Sequence, residues 1–148
     1  MPLIFKIKPF KGLSTDELHQ LLQLRSEVFV VEQNCVYQDI DGKDPKAIHV
    51  IGEFEGEIVA YCRIFKAGDY FDQASIGRVV VKESFRDRKW GHDLIREAIV
   101  AVEKHFGTSQ ITISAQLYLK KFYESHAFVQ TSEEYLEDGI PHIEMKKD

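Results

Sequence analysis

The sequence has only two cysteines, four prolines and nine glycines in 148 residues, and it has no long apolar run. Cys35 and Cys62 lack the CxxC or paired spacing of a zinc or redox site, so each is predicted to be a small apolar residue. The low glycine and proline content excludes a fibrous repeat, and 44% hydrophobic with 29% charged residues is a globular composition. We therefore expect a single domain over residues 1–148, with a core that needs no metal or disulfide.

Positive charge is also scarce, since 19 basic residues face 24 acidic ones and the formal net charge is −5. This balance argues against nucleic acid as a partner, because such binding relies on Lys and Arg. It is weakly compatible with a cationic substrate such as an amine. The N-terminal MPLIFKIKPFKG lacks the apolar run of a signal peptide, and no stretch reaches membrane-spanning length. We expect a cytoplasmic protein that binds neither nucleic acid nor a membrane.

Apolar spacing predicts ten regular elements in the order β-α-β-β-β-α-β-α-β-β. The predicted helices are Thr15–Val31, Asp93–His105 and Leu117–Ser125. The predicted strands are Leu3–Lys8, His49–Phe54, Ile58–Phe65, Ser75–Lys82, Gln110–Ala115, Phe128–Tyr135 and His142–Lys146. Ser14 and Glu17 have capping-box spacing. Hairpins in the first half and one right-handed strand–helix–strand crossover indicate an α/β protein of the α+β type, with a mixed sheet.

The segment from Ile76 to Ile95 carries the strongest functional signal. A β-branched strand runs into a basic, glycine-containing loop that opens directly onto a helix. The first turn of a helix attracts anions through its free N–H groups, and Arg86, Arg88 and Lys89 add full charges there. We expect a phosphate-bearing ligand, the alternative being a solvated basic loop. The chain has neither the GxxxxGK[ST] nor the GxGxxG pattern.

The same segment resembles the GNAT superfamily, in particular its ElaA-like branch. The family's motif after its fourth strand is Arg/Gln-x-x-Gly-x-Gly/Ala, of which Arg86 and Gly91 match the first and last positions. Lys89 replaces the middle glycine. The similarity also covers Arg25–Asn34, Ile76–Val81, Phe122–Tyr123 and Glu137–Met145, in the family's order.

The resemblance implies the GNAT acyl-CoA N-acyltransferase fold and transfer of an acetyl group from acetyl-CoA to a small-molecule or peptide amine, without a metal. It implies that the fourth and fifth strands splay apart and that the coenzyme binds the backbone of the fourth. The coenzyme-binding residues it implies are Val79, Val80, Val81, Arg86, Asp87, Arg88, Lys89, Trp90, Gly91, His92, Gln116 and Tyr118. Paired protomers are common in the family, so the resemblance allows a homodimer, but the sequence leaves the oligomeric state open.

The position of Tyr123 is where the family carries its general acid, and a phenol stays protonated at neutral pH and can donate to a leaving thiolate. The alternative is a tyrosine that only packs. Glu32 and His142 are the predicted bases, with Asp39 and Asp41 as further candidates. A calcium loop at 39–44 is rejected, because the glycine has the wrong offset and the final Glu is missing.

Three residues have open interpretations. Arg78 either enters the acceptor pocket, where it would favour a substrate with a carboxylate, or forms an ordinary salt bridge. Lys89 is expected to alter rather than abolish phosphate binding. Ala127 stands where the family usually has glycine, and it costs about 1 kcal/mol if that position is left-handed.

Two other functions compete with acetyl transfer. One is a non-catalytic acyl-CoA-binding or regulatory domain, in which the altered glycine loop reflects lost turnover. The other keeps the fold but changes the acceptor, as in the acyl-homoserine lactone synthases, whose N-terminal helix region is loosely similar.

Overall fold

The computed structural model describes residues 3–148, which form eight strands and three α-helices. The strands are β1 (Ile4–Pro9), β2 (Ile48–Phe54), β3 (Glu57–Phe65), β4 (Ala74–Val81), β5 (Ile111–Gln116), β6 (Val129–Gln130), β7 (Tyr135–Glu137) and β8 (Ile140–Lys147). The helices are α1 (Thr15–Arg25), α2 (Trp90–Phe106) and α3 (Lys120–Glu124). A π-helical segment, Ser26–Glu32, continues α1, and a 3-10 turn, Glu83–Arg88, precedes α2. Within the described residues, no helix combines the length and apolarity needed to cross a membrane.

The strands form one mixed sheet in the order β1-β2-β3-β4-β5-β8-β6, with β7 also paired to β8. All pairs are antiparallel except β4 with β5, as the predicted crossover requires. The predicted mixed α/β fold is confirmed. The predicted strand Phe128–Tyr135 is instead two short strands, β6 and β7. The ladder stops between them because the Glu144 N–H donates to the Ser132 hydroxyl (2.9 Å) rather than to a backbone carbonyl.

The helices cover both faces of the sheet, and the alternation of side chains along the strands explains how. Leu21, Leu24 and Val28 pack on Ile51, Tyr61 and Val80 on one face. Leu94, Ile95, Ala98 and Val102 pack on Val50, Cys62 and Ile64 on the other. Because β2 and β3 carry apolar residues on both faces, the centre of the sheet is buried.

The predicted capping box begins α1. Glu17 N–H donates to the Ser14 hydroxyl (3.0 Å), and Ser14 N–H donates to the Glu17 carboxylate (2.9 Å). The predicted helix end at Val31 is replaced by the π-helical segment from Ser26. The wider turn moves the residues after Arg25 relative to a regular helix, and π-helical turns occur frequently at functional sites.

The sheet opens between β4 and β5. These strands pair only at Ala74–Ile111 and Ser75–Thr112 and then diverge. On its other edge β4 has a bulge, in which Arg78 and Val79 lie opposite the single residue Cys62. Arg78 has a φ of 51°, which is unusual for a residue with a β-carbon. Bulges bend a strand, so this one contributes to the cleft.

Candidate active site

A cavity of about 510 Å³ occupies the cleft between β4 and β5. Its walls come from the π-helical segment, β4, the start of α2, α3 and the β7–β8 hairpin. Most of the site residues predicted from the sequence line it, namely Glu32, Val79, Val80, Val81, Arg86, Lys89, Gly91, His92, Gln116, Tyr118, Tyr123 and His142. Three predicted residues do not line it: Asp87, Arg88 and Trp90.

The free edge of β4 offers backbone groups to this cavity. Lys82 N–H donates to Val59 of β3 (2.8 Å), and successive residues of a strand direct their N–H groups to opposite sides. The N–H groups of Val79 and Val81 therefore face the cleft. Arg86 Nε donates to the Val81 carbonyl (3.0 Å), which faces the same way. The cleft thus presents N–H donors that no neighbouring strand covers.

The basic loop ends in a left-handed residue at the start of α2. Lys89 has φ 60° and ψ 25°, and the helix begins at Trp90 rather than at the predicted Asp93. A β-carbon at Gly91 would meet only the Phe122 ring at 3.5 Å, an ordinary contact. The protein's own packing therefore does not demand glycine there. The absence of a side chain leaves the first helical turn open to the cavity, as an anion site requires.

Arg86 and Glu32 pair with each other. Arg86 Nη1 and Nη2 contact the two Glu32 oxygens at 2.5 and 2.8 Å, and the hydrogen bond raises the pKa of Arg86. Both side chains line the cavity and are partly exposed. Arg86, which is predicted to bind phosphate, and Glu32, which is a predicted base, thus form an ion pair with each other. An anion that binds Arg86 must therefore compete with Glu32.

Arg88 lies in an aromatic cluster rather than in the cavity. Its guanidinium lies 4.9–5.1 Å from the ring centroids of Phe54, Phe85 and Trp90. Trp90 is buried and stacks on Phe85, whereas Asp87 is exposed. This cluster fixes the loop to the end of β2. A role in coenzyme binding stays a prediction for Asp87, Arg88 and Trp90.

Tyr123 reaches the cavity from α3. Its ring packs edge-on against Phe122 and Phe128, with centroids 5.1 and 5.9 Å away, and the residue is 5% exposed. Burial raises the pKa of the phenol, so it is protonated at neutral pH. Among residues 3–148 its hydroxyl has no hydrogen-bond partner. It is available to a ligand.

His142 is buried beside the cavity with a defined tautomer. Its Nδ1 lies 2.7 Å from the Ile140 carbonyl, which can only accept, so Nδ1 carries the proton. When the ring is neutral, Nε2 holds the lone pair, and it lies 3.3 Å from the Glu137 carboxylate. Glu137 also lines the cavity and would stabilise an imidazolium. Sequence reasoning missed Glu137, although its hairpin position close to His142 was a usable signal.

Asp39 and Asp41 belong to a cluster of three arginines and three aspartates, of which Asp41 and Arg78 are half-buried and the other four are buried. Arg25 contacts Asp39 and Asp44, Arg63 contacts Asp41 and Asp44, and Arg78 contacts Asp39. We call this the Arg–Asp cluster; its members are Arg25, Asp39, Asp41, Asp44, Arg63 and Arg78. It explains why the calcium pattern fails, because guanidinium groups bind these carboxylates.

The arginines of the Arg–Asp cluster make its aspartates poor candidates for the general base. Burial opposes ionisation of Asp41, but hydrogen bonds from Arg63 and the Lys43 N–H outweigh it and lower the pKa of Asp41. Such a carboxylate is a weak base. Both predicted alternatives for Arg78 hold at once: it lines the cavity, and it forms a salt bridge in which its Nε lies 2.8 Å from Asp39. That contact is electrostatic, because the N–H is not directed at the oxygen.

Further polar contacts that the sequence did not indicate join distant segments at the cavity. Gln33 and Gln116 exchange hydrogen bonds of 3.2 Å through their side-chain amides. His92 Nδ1 lies 2.8 Å from His126 Nε2. In the described part of the chain, no group of three or more His, Cys, Asp or Glu side chains is placed to hold a metal.

Residues 14–148 match the family described as the acetyltransferase (GNAT) domain. Protein ElaA of Escherichia coli K12 is 44% identical over 138 residues, which are 92% of this chain and 90% of ElaA. The crystal structure of E. coli ElaA has a TM-score of 0.92 at 40% identity, over 99% of both chains. That of an acyl-CoA N-acyltransferase from Pseudomonas aeruginosa has a TM-score of 0.92 at 39% identity, over 99% of both.

A more distant structure bears on one of the competing functions. The CoA-dependent acyl-homoserine lactone synthase BjaI has a TM-score of 0.78 at 14% identity, over 97% of this chain and 82% of its own. This similarity shows a common fold and nothing about the acceptor.

Proposed function

This chain belongs to the GNAT acetyltransferase family, in its ElaA-like branch, and from that premise we propose that it transfers the acetyl group of acetyl-CoA to an amine by direct attack. The observation that carries the proposal is the uncovered edge of β4 at Val79–Val81, which opens on the same cavity as Tyr123 and His142. A single-domain organisation, a cytoplasmic location and the homodimer that the family allows stay predictions.

Acetyl-CoA binds along this edge in the proposed arrangement. The diphosphate lies at the first turn of α2, beside Lys89, Gly91 and His92, and Arg86 contributes charge by exchanging Glu32 for phosphate. The pantetheine arm bonds the backbone of β4 between the splayed strands, where Gln116 and Tyr118 form the opposite wall. A cleft-facing N–H of Val79 or Val81 donates to the thioester oxygen and stabilises the charge that develops there.

The amine must be neutral before it attacks. We assign the proton to His142 Nε2, directly or through one water, because Nδ1 is already bound to the Ile140 carbonyl. Glu137 then stabilises the imidazolium from 3.3 Å. Glu32 is the other predicted base, but Arg86 contacts both of its oxygens. A new C–N bond forms as the C–S bond breaks, and the acetyl group moves from sulfur to nitrogen.

The leaving thiolate needs a proton, which Tyr123 supplies. Burial keeps its phenol protonated until the thiolate forms, and its hydroxyl is available on the cavity wall. The pKa of a thiol, near 8.5, lies below that of the buried phenol, so this proton transfer alone is uphill. It is coupled to the breaking of the C–S bond, and Tyr123 then regains a proton from solvent. Tyr123 and His142 exchange protons with solvent to complete the cycle.

Release of free thiol from acetyl-CoA across a panel of amines tests the function. Tyr123→Phe keeps the packing of the ring and removes only the hydroxyl. We expect kcat to fall about 100-fold or more, because general acid catalysis contributes about 10²–10⁴, while the KM for acetyl-CoA stays within about threefold. An unchanged kcat removes Tyr123 from the acid role. Tight CoA binding without turnover on any amine would support the regulatory alternative.

A further inference from the structure

A second, smaller cavity of about 50 Å³ adjoins the active-site cavity near the start of β4. The two share Ile76, Gly77, Arg78, Ser114 and Glu137 as lining residues. The smaller cavity alone is lined by Arg63, Phe65, Tyr70, Phe71 and Ser75. It exceeds the roughly 10–15 Å³ that one water needs, so it has room for a small polar group. Ser75 lies near the start of β4, whereas Val81 ends β4 and leads into the basic loop before α2. The smaller cavity is therefore far from that loop.

Three buried atoms of its wall lack a hydrogen-bond partner within the described residues, namely Arg63 Nε, the Ser75 hydroxyl and Arg78 Nε. Arg78 Nε lies 2.8 Å from a carboxylate of the Arg–Asp cluster, which leaves the other two as the unpaired donors of the described chain at this wall. Arg63 Nε and the Ser75 hydroxyl make no hydrogen bond within residues 3–148, although the two residues are 1% and 2% exposed. Arg63 uses its terminal nitrogens on Asp41 and Asp44, which leaves the Nε–H unused. An unpaired buried donor costs about 1–3 kcal/mol, so native structures rarely keep one without a function. Both donors require an acceptor.

The surrounding charge defines which acceptor fits. The Arg–Asp cluster has three positive and three negative members, so it is close to neutral as a whole. Glu137, on the shared wall, adds a negative charge. A phosphate dianion would be repelled by Glu137 and would need more donors than two. A carboxylate needs few donors, and an amine on the same molecule offsets the charge of Glu137.

We propose that the smaller cavity is a carboxylate subsite of the acceptor pocket, so that the acceptor is an amine that also bears a carboxylate. Arg63 Nε and the Ser75 hydroxyl donate to the carboxylate, and Arg78 lies beside it on the shared wall. The amine projects into the larger cavity, on the side of Glu137 and His142. The inference rests on the proposed function for the reaction, but the subsite can be tested by binding alone.

The test uses glycine, β-alanine, 4-aminobutyrate and 6-aminohexanoate, each against its carboxamide. For each compound the kcat/KM of thiol release from acetyl-CoA is measured, and calorimetry gives the Kd for the CoA-bound protein. We expect at least one acid to exceed its amide by about tenfold or more in both quantities, since one hydrogen bond to a charged group gives that factor. The chain length that is preferred reports the distance from the subsite to the amine.

Each of the other outcomes also decides whether the subsite, the acetyl transfer or both are retained. Acids that bind better than amides without thiol release would support the subsite and overturn the acetyl transfer. Amides acetylated as well as acids would leave the reaction standing and overturn the subsite, and the cavity would then hold only water. Binding of neither series would overturn the subsite.

A variant isolates the hydroxyl. Ser75→Ala should lower the acid-to-amide ratio of kcat/KM about tenfold. It should not lower the free energy of unfolding, because the hydroxyl has no partner within the described chain. Ser26→Ala, at an exposed serine outside both cavities, is the matched control and should leave the ratio unchanged. An unchanged ratio in Ser75→Ala would contradict the assignment.

Discussion

At the scale of single residues, three side chains of the site region occupy backbone conformations that glycine prefers. Arg78, Lys89 and Ala127 have φ values of 51°, 60° and 71°. The first forms the bulge of β4 and the second separates the basic turn from α2. The third ends α3, where Phe128 N–H reaches back to the Tyr123 carbonyl (3.2 Å) and Ala127 N–H to that of Glu124 (3.1 Å). This is a Schellman motif with alanine at its left-handed position.

Replacing Ala127 by glycine should therefore stabilise the protein. An L-residue pays about 1–2 kcal/mol in this conformation, and the added flexibility of glycine in the unfolded chain returns part of that. We expect Ala127→Gly to raise the free energy of unfolding by about 0.5–1 kcal/mol in urea titrations. Ala67, which is exposed and lacks a positive φ, is the matched control. Ala67→Gly should be neutral or destabilising, and an equal gain there would refute the strain argument.

The sequence predicts single residues well where a family motif places them and poorly where tertiary pairing decides. Motif position predicts that Val79–Val81 and Tyr123 lie at the cavity, which they line, and their functions stay predictions. It also identifies Ala127 as a candidate for the left-handed conformation, which that residue adopts. Ser75 shows the limit, since nothing in the strand pattern distinguishes a buried hydroxyl without a partner from an ordinary core serine. The environment of such a group depends on side chains from other strands.

At the scale of elements, the loop between β4 and α2 divides its cations between two functions. Arg86 turns toward the cavity and the Val81 carbonyl, whereas Arg88 rests on three aromatic rings. The sequence shows only that both are basic and close to a helix N-terminus. Which of them faces a ligand depends on Phe54, which belongs to another strand.

Single replacements should separate the two arginines. Arg86→Gln should raise the KM for acetyl-CoA about three- to tenfold at low ionic strength, and the effect should shrink as salt rises because exposed charges are screened. Arg88→Gln, the matched control, should change this KM by less than about twofold and lower the melting temperature instead, since its contacts are aromatic. Thiol-release kinetics at two salt concentrations measure both. An equal rise in KM for the two variants would mean that net charge, rather than position, binds the phosphates.

Element boundaries show why some features resisted prediction. Strands and helices follow apolar periodicity, and nearly all of them were expected within a few residues. The π-helical segment was not, because Val28 and Phe29 keep an apolar spacing that also suits an α-helix. The division of the predicted strand Phe128–Tyr135 depends on the Ser132 hydroxyl replacing a carbonyl, which is a pairing detail.

At the scale of the whole molecule, the Arg–Asp cluster joins parts of the chain that are otherwise separate. It ties the end of α1, the irregular segment before β2, and strands β3 and β4 at one place beside the cavity. Its partners lie 14 to 22 residues apart in Arg25–Asp39, Arg25–Asp44 and Arg63–Asp41, and 39 apart in Arg78–Asp39. Oppositely charged residues are common in any sequence, so the individual pairs could not be predicted.

The cluster should make the protein sensitive to acid in a defined pH range. Burial disfavours the charged form of Asp44, but hydrogen bonds and charges from Arg25 and Arg63 prevail and lower its pKa. The pKa of Asp41 is likewise lowered against its burial, by Arg63, the Lys43 N–H and Arg78. A lowered folded-state pKa adds stability above the unfolded value, near pH 4, and this stability is lost as the pH falls toward the folded value. Urea unfolding between pH 6 and pH 2 should therefore show stability dropping mainly below about pH 4.

Asp44→Asn tests whether the cluster causes that drop. Asp44 bridges two guanidinium groups that are 0% and 1% exposed, and neutralising it leaves their charges poorly compensated. We expect a loss of about 3–5 kcal/mol at pH 7 and a shallower decline below pH 4, because one of the carboxyls with a lowered pKa is gone. Asp72→Asn, at an exposed position, is the control and should change neither quantity by more than about 0.5 kcal/mol. If Asp44→Asn retained the full acid dependence, groups outside the cluster would control the stability of the fold in acid.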